Sequence, residues 1–329
     1  MKENNQEIYR IPVLAVANTL SAIKADELKI ESSKMDADGS VANLKLSNAT
    51  VNSGEVLLFN HLGSDVRKPL ASSFMSSDCD LQSVGYRIVD RENPEDGKNQ
   101  KMIQFAVKVY KPATTWNSCD VSILIDQNKD GEYEQELLGA VGTAVPGLKD
   151  ENHMSILIDA TKARALRKAY EEKVLAANGD PVQVAKFKDK ESYAEALLAM
   201  NDSMNYNNST IVVVEAPVEM IKVNERNEIN FQVIVTHNEQ NSTETDDYLS
   251  LGKAANSAKW LTISANEADQ GFLNLGQKIE VLGHQKQEIT LTKGRGNQSL
   301  MLLAPQNKFS FSDSLVDAQL IVVKPSYGN

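Results

Sequence analysis

Short apolar runs separated by polar turns fill most of this chain, and the pattern predicts strands. In the runs 41–46 and 105–110, one set of alternate positions is entirely apolar, while the other set carries the polar residues. Because successive side chains of a strand point to opposite faces, such alternation predicts strands with one buried and one solvent-exposed face. Turn sequences such as Asp38-Gly39 and Ser53-Gly54 separate the runs. Further strands of this first part are predicted at 28–31, 55–59, 85–89, 103–109 and 121–125.

The middle of the chain changes to a helical period. Apolar residues recur four positions apart from Leu166 to Val174, and Asp159 or Thr161 precedes them as a candidate N-cap. These features predict a helix that runs to about residue 176.

A second helix is predicted at 191–200, where several apolar residues fall on one helical face. Strand-like runs at 153–158 and 210–214 enclose the two helices. We therefore expect a two-helix insertion at about 159–204 within the first domain.

The remainder of the chain again predicts only strands. Seven of them in about 110 residues match an immunoglobulin-like sandwich. They are predicted at 219–223, 229–236, 260–264, 277–281, 287–291, 299–303 and 318–323. The expected fold is therefore mainly β, with two β-sandwich domains of immunoglobulin or jelly-roll type, at residues 1–217 and 218–329, the first of which carries the insertion.

Composition narrows the function classes. A length of 329 residues fits about two domains, and a net charge of -11 opposes binding to nucleic acid. No apolar run approaches the roughly 20 residues of a transmembrane helix. Residues 1–5 are polar, so we expect any export signal to have been removed from a longer precursor.

The two cysteines stand in similar settings. Cys79 and Cys119 are each followed by aspartate and a strand-like run. This predicts a disulfide, which persists in oxidising compartments, and hence a secreted, periplasmic or cell-surface location. Two unrelated buried thiols are the alternative.

Residues 126–134 carry the clearest chemical signal, with oxygen-bearing side chains at alternate positions and Gly131 at a sharp turn. Loops of this spacing bind calcium through side chains at positions 1, 3, 5 and 9 and a carbonyl at position 7. The predicted ligands are the side chains of Asp126, Asn128, Asp130 and Glu134 and the carbonyl of Glu132. Position 12 is Leu137, so a regular EF-hand is not predicted. An acidic turn without an ion is the alternative, and magnesium is less suited because it demands tighter geometry.

No catalytic motif is found in the sequence. A Gly-x-Ser-x-Gly elbow and a glycine-rich phosphate loop are both absent. His61, His153, His237 and His284 are scattered without the spacing of zinc ligands. We therefore predict that the chain as given is not an enzyme.

Several stretches together resemble a known family. They are Ile11-Pro12-Val13-Leu14, Leu57-Leu58-Phe59-Asn60, Cys79-Asp80-Leu81-Gln82-Ser83 and Ser122-Ile123-Leu124-Ile125-Asp126, with weaker likeness at 156–164, 214–217 and 269–273. They resemble the region that follows the protease domain in some secreted bacterial subtilisin-like serine peptidases.

In that family, a strand ending in Asp is followed by x-Asn/Asp-x-Asp-Gly-x-x-Asp and forms a calcium-type hairpin. Asp126, Asn128, Asp130 and Gly131 match this pattern, and Glu134 replaces the last aspartate. The family's catalytic signatures are absent, so no triad residue is carried over.

The resemblance implies a non-catalytic accessory region. Its partner would be a protein: its own catalytic domain, a substrate or a cell-surface partner. The alternative is a free-standing adhesion or partner-binding protein built from calcium-rigidified sandwiches.

Overall fold

The computed structural model describes a defined part of the chain, and all structural statements concern that part. It comprises residues 2–3, 6–7, 21–36, 39–65, 79–92, 97–113, 116–145, 149, 151–177, 180, 193–205, 209–237, 246–248, 260–296, 299–305, 307 and 317–322. The stretch Ile11-Pro12-Val13-Leu14, which is part of the family resemblance, lies outside it.

Strands dominate the described residues, which confirms the mainly β class. The strands are β1 (Lys2–Glu3), β2 (Gln6–Glu7), β3 (Ile23–Asp36), β4 (Gly39–Asn48), β5 (Gly54–Ser64), β6 (Leu81–Glu92), β7 (Asn99–Ala113), β8 (Cys119–Ile125), β9 (Gln135–Val141), β10 (His153–Asp159), β11 (Leu197–Asp202), β12 (Met204–Asn205), β13 (Ser209–Pro217), β14 (Glu228–His237), β15 (Asp246–Tyr248), β16 (Leu261–Ser264), β17 (Phe272–Leu273), β18 (Ile279–Val281), β19 (Lys286–Lys293), β20 (Ser299–Leu303) and β21 (Ala318–Val322).

Three larger antiparallel sheets organise these strands. The first sheet has the order β11-β10-β9-β8-β14-β15, with β16 also paired to β14. The central sheet has the order β12-β13-β7-β6-β5-β20-β21, with β18 also paired to β5. The small sheet has the order β17-β19-β4-β3, and β1 pairs only with β2.

The largest hydrophobic core lies between the first sheet and the central sheet. Alternate residues of β8 and β14 face alternate residues of β6, β7 and β13 across it. The rings of Phe105 and Phe231 meet there edge to face at 5.1 Å. Because nearly every inward side chain is branched aliphatic or aromatic, the two sheets exclude water from the space between them.

A second core lies between the small sheet and the other half of the central sheet. Leu44 and Leu46 of β4 pack there with Val56 and Leu58 of β5. The intervening residues of β5, such as Phe59, point to the opposite face of the strand and join a third cluster. Strand β5 is therefore buried on both faces, as its nearly continuous apolar sequence requires.

The central sheet curls until its two ends meet. Asp317, just before β21, accepts hydrogen bonds from the Thr210 amide at 2.7 Å, the Thr210 hydroxyl at 2.5 Å and the Ser209 hydroxyl at 3.1 Å, at the start of β13. The third cluster fills the curl with side chains from β5, β7, β13, β20 and β21.

One α-helix, α1 (Ala160–Ala176), follows β10 directly. The Asp159 carboxylate accepts the Lys162 amide at 2.9 Å, so Asp159 is the N-cap, the first of the two predicted candidates, and Thr161 is not. The first turns of α1 cover the outer face of the first sheet, where Ala163 and Leu166 pack against a small apolar cluster that includes Ile156.

The second predicted helix, at 191–200, is wrong over the residues that the structure describes. Tyr193–Ala196 forms one 3-10 turn, and the chain then continues as β11, which pairs with β10. Exposure alternates along β11 from Leu197 to Asp202, as in a strand. The apolar residues of this segment were therefore compatible with a strand as well as with a helix. The predicted strand at 219–223 is also wrong, since Val218–Met220 is a 3-10 turn.

The predicted boundary at residue 217 does not separate two sets of strands. From the carboxyl-terminal part, β14 pairs with β8, β19 pairs with β4, and β18 and β20 pair with β5. Local alternation identifies a strand but not its partner, so the sequence pattern could not reveal this interleaving.

The polar face of β7 also differs from expectation. Lys108 was predicted to face solvent, yet it is 1% exposed because this face of β7 lines the inside of the curled central sheet. Its ammonium donates to the Thr210 hydroxyl at 2.8 Å and lies 3.9 Å from a carboxylate oxygen of Asp317. Alternation alone does not distinguish water from a polar interior.

Candidate metal-binding loop

The predicted metal-binding residues lie in the hairpin between β8 and β9. Asp126 follows β8 directly and is completely buried. Its amide donates to the Asn230 carbonyl at 3.0 Å, and the Glu134 amide donates to the Ile125 carbonyl at 2.9 Å. These bonds hold both ends of the hairpin against the first sheet.

The side chains of this hairpin fold back onto its own backbone. The two carboxylate oxygens of Asp126 accept the amides of Lys129 at 2.6 Å and Gly131 at 2.7 Å. Lys129 and Gly131 both have positive φ, of 62° and 95°, which lets the chain turn around the Asp126 carboxylate. The centre of the loop is therefore an aspartate surrounded by turning backbone.

The next two oxygen-bearing residues repeat this arrangement. The Asn128 side-chain oxygen accepts the Asp130 amide at 2.9 Å, and Asp130 accepts the Glu132 amide at 2.8 Å. The Asn128 amide group donates to the other Asp130 oxygen at 2.8 Å. The backbone bond from Glu132, followed by the bond from Asn128, lowers the pKa of Asp130 below its usual value.

Glu134 is turned towards the opposite arm of the hairpin, where its carboxylate accepts the Gln127 amide at 2.8 Å. Glu132 is exposed at the tip. Among the described residues, no three His, Cys, Asp or Glu side chains converge to hold a metal ion. The structure thus places all five predicted residues in one hairpin without drawing their carboxylates together.

Neighbouring strands fix the hairpin in place. The Asn230 side chain donates to the Gln127 carbonyl at 2.9 Å, and the Lys129 ammonium donates to the Thr262 hydroxyl at 2.8 Å. Thr262 in turn donates to Asn230 at 2.9 Å. The loop is therefore bonded to both β14 and β16.

The donor set of the loop fits calcium chemically. A hard cation prefers carboxylate, amide and carbonyl oxygens, and these are the donors at the predicted positions. Each carboxylate oxygen of Asp126 accepts one backbone bond and retains further lone pairs. A Cβ added at Gly131 would meet no atom within 4 Å, so the tip of the loop is open.

The predicted disulfide is confirmed, with Cys79 and Cys119 bonded at a Cα–Cα distance of 5.7 Å. Cys79 precedes β6 and Cys119 begins β8, so the bond joins the central sheet to the first sheet. Trp116 is buried in the same core.

Two serine–histidine contacts escaped the sequence analysis. Nδ1 of His153 lies 2.5 Å from Oγ of Ser203, and Nε2 of His61 lies 3.0 Å from Oγ of Ser64. Burial lowers the pKa of His153 to about 4, and the Ser203 hydroxyl donates to the His153 carbonyl at 2.9 Å. A base of such low pKa is ill suited to activate a serine near neutral pH.

A chain of buried polar groups was also missed. Arg87 donates to Gln104 at 2.7 Å, and Gln104 donates to Glu215 at 2.7 Å. Arg91 completes the chain through an ion pair with Glu215. In the sequence, Arg87, Gln104 and Glu215 are each a single polar residue between apolar neighbours, a pattern that also fits a solvent-exposed strand position.

Protein-family models, curated proteins and solved structures each gave no match. Within the described residues, no helix combines the length and hydrophobicity that a bilayer span requires.

Proposed function

We propose that this chain is a non-catalytic, calcium-stabilised binding module of an extracytoplasmic protein. The observation that carries the proposal is the hairpin of residues 126–134, whose oxygen-bearing side chains flank a fully buried aspartate. The disulfide supports an oxidising compartment.

Calcium would stabilise an edge of the first sheet in this proposal. It would bind through Asp126, Asn128, Asp130, the Glu132 carbonyl and Glu134. Because β8 and β9 flank the loop directly, an ion there would tie the two strands together and would not move a helix as a switch does.

In its more specific form, the proposal assigns the chain as the accessory region of a secreted subtilisin-like serine protease. The support is the motif from Asp126 to Glu134 that follows a buried strand. This assignment keeps two sandwich-like domains of immunoglobulin or jelly-roll type. A single limit at residue 217 does not divide them, because strands from the two sides of that residue pair with each other. The module would then contact its catalytic domain, a substrate or a cell-surface partner.

Calcium binding is tested by thermal unfolding with and without calcium. At about 100 times its Kd, calcium should stabilise the protein by about 2.7 kcal/mol, which corresponds to a Tm rise of about 4 °C for a chain of 329 residues. Asp130→Asn should remove most of this rise. Asp90→Asn is the matched control, because Asp90 is an exposed carboxylate in β6 whose ion-pair distance to Lys101 is 3.7 Å. An equal calcium response in wild type and Asp130→Asn would contradict the loop assignment.

The protease assignment is tested by reading the complete gene that encodes this chain. An Asp, His and Ser triad upstream would support it, and the isolated chain should not hydrolyse casein. Further sandwich repeats or a surface anchor in place of the triad would instead support the adhesion protein. Hydrolysis by the isolated chain would contradict both forms.

A further inference from the structure

A cavity of about 260 Å³ lies between the first turns of α1 and the outer face of the first sheet. Its floor is apolar, formed by Leu138, Val145 and Ile158. Ala160 and Ala163 form the helix wall, one turn apart on the same face. Because alanine has the shortest apolar side chain, the helix leaves an open space above the sheet.

Two arginines of the same helix face stand at the edge of the cavity. Arg164 donates to the Tyr133 carbonyl at 2.9 Å, and its guanidinium lies 5.2 Å from the Tyr133 ring centre. A guanidinium has five N–H groups, so others are left for a ligand. Arg167 pairs with Glu171 at 2.9 Å, and both side chains are more than half exposed, so this pair contributes little and can be displaced.

A half-buried carboxyl group, that of Glu136, completes the wall. Glu136 accepts the Ser122 hydroxyl at 2.6 Å. No cation among the described residues forms an ion pair with it. Glu136 therefore offers its remaining lone pairs to an N–H donor inside the cavity.

We propose that this cavity binds the C-terminal residue of a peptide whose last side chain is aliphatic. The terminal carboxylate would meet Arg164 and Arg167, the side chain would cover the apolar floor, and the last amide would donate to Glu136. A cavity of about 150 Å³ already accepts benzene, so this one has room for a leucine-sized residue.

Charge and hydrogen bonding select this occupant over two others. A cationic ligand would be repelled by the two arginines, which carry the same charge. A fatty acid would match the floor and the arginines but would bring no N–H donor to the remaining lone pairs of Glu136. Tyr133 also belongs to the hairpin of residues 126–134, so the test is made both with and without calcium, and binding is expected in both buffers.

The experiment titrates the chain with N-acetyl-leucine and follows binding by NMR. Saturable binding in the millimolar range is expected, as suits so small a ligand. N-acetyl-leucinamide, which lacks the carboxylate, and N-acetylglycine, which lacks the side chain, should each bind at least about tenfold more weakly. The absence of saturation at about 10 mM, or equal affinity for acid and amide, would overturn the proposal.

Variants locate the site. Ala163→Leu should fill the cavity and abolish binding, whereas Ala165→Leu, on the exposed side of α1, should retain it. Arg167→Gln should weaken binding at least about fivefold, and its control is Lys168→Gln at an exposed neighbour. Thermal unfolding of each variant verifies that it folds. If folded Ala163→Leu and Arg167→Gln bound like the wild type, the cavity would not be the site.

Discussion

Loss of the disulfide should destabilise the first core, because the bond crosses it. Cys79 and Cys119 are separated by 40 positions, and the loop they close contains all of β6 and β7. For a loop of this length, the chain-entropy relation gives about 4 kcal/mol at 25 °C. This is an upper figure, since a compact denatured chain has less entropy to lose.

The disulfide can be removed in two ways, and comparing them separates the effect of chain entropy from the effect of packing. Reduction of the wild type breaks the bond but keeps both sulfur atoms in the core, whereas Cys79→Ala with Cys119→Ala also removes them. Both forms should lose about 4 kcal/mol, and the double variant should lose slightly more because it leaves a small void.

Urea unfolding monitored by tryptophan fluorescence measures these differences. Trp116 reports directly, because it is buried in the same core as the disulfide. Reducing agent should leave the double variant unchanged, which controls for effects of the agent itself. If oxidised and reduced wild type differed by less than about 1 kcal/mol, the bond would not constrain the two sheets as argued.

Three further predictions address the interior. Burial lowers the pKa of His153 to about 4 and raises that of Asp120 to about 6. Neutral His153 contributes stability that is complete above pH 6.5 and is lost as pH falls to 4. Protonated Asp120 contributes stability that is complete below pH 3.8 and is lost as pH rises through 6. As pH falls from 7 to 4, the free energy of unfolding of His153→Asn should rise by about 3 kcal/mol relative to that of the wild type, and that of Asp120→Asn should fall by about 3 kcal/mol relative to it. Urea unfolding at both pH values measures these differences, and differences from wild type that do not change with pH would contradict the prediction. Gly139→Ala should cost about 1–3 kcal/mol in urea unfolding, because the new Cβ would lie 2.4 Å from a methyl of Val214. Asp317→Ala should cost about 3–5 kcal/mol by removing the carboxylate that faces buried Lys108, and adding Lys108→Met should restore much of the loss; a purely additive double variant would contradict that coupling.

The sequence predicted what local patterns determine. Residues 299–303 were predicted as a strand and form β20 with the same limits, because a continuous apolar run of that length suits a buried strand. Asp159 was predicted as a cap because its side chain needs only its own backbone neighbours. The disulfide followed from two matching local settings.

Long-range pairing was beyond local patterns. Tyr193, Ala194, Leu197 and Leu198 mark one face of a helix in the sequence, and the pairing of β11 with β10 decides in favour of a strand from Leu197 onwards. Likewise, the polar residues of β7 read as solvent-exposed until the curl of the central sheet encloses them. For the candidate site, the sequence supplied the ligand types, whereas the arginines and the carboxyl group of the α1 cavity lie on separate elements whose approach no local spacing encodes.

Strand β5 has a consequence for how the molecule can be divided. Its Val56 and Leu58 belong to the second core, while Leu57 and Phe59 face the third cluster on the other side. Both cores thus share one wall, which receives β20 from near the end of the chain. A fragment that stops at residue 217 would lack the strands that complete β5 and β8, so cutting the gene there yields two incomplete pieces. For fragment design and for evolution by exchange of segments, the strands on the two sides of residue 217 that pair with each other have to be kept together.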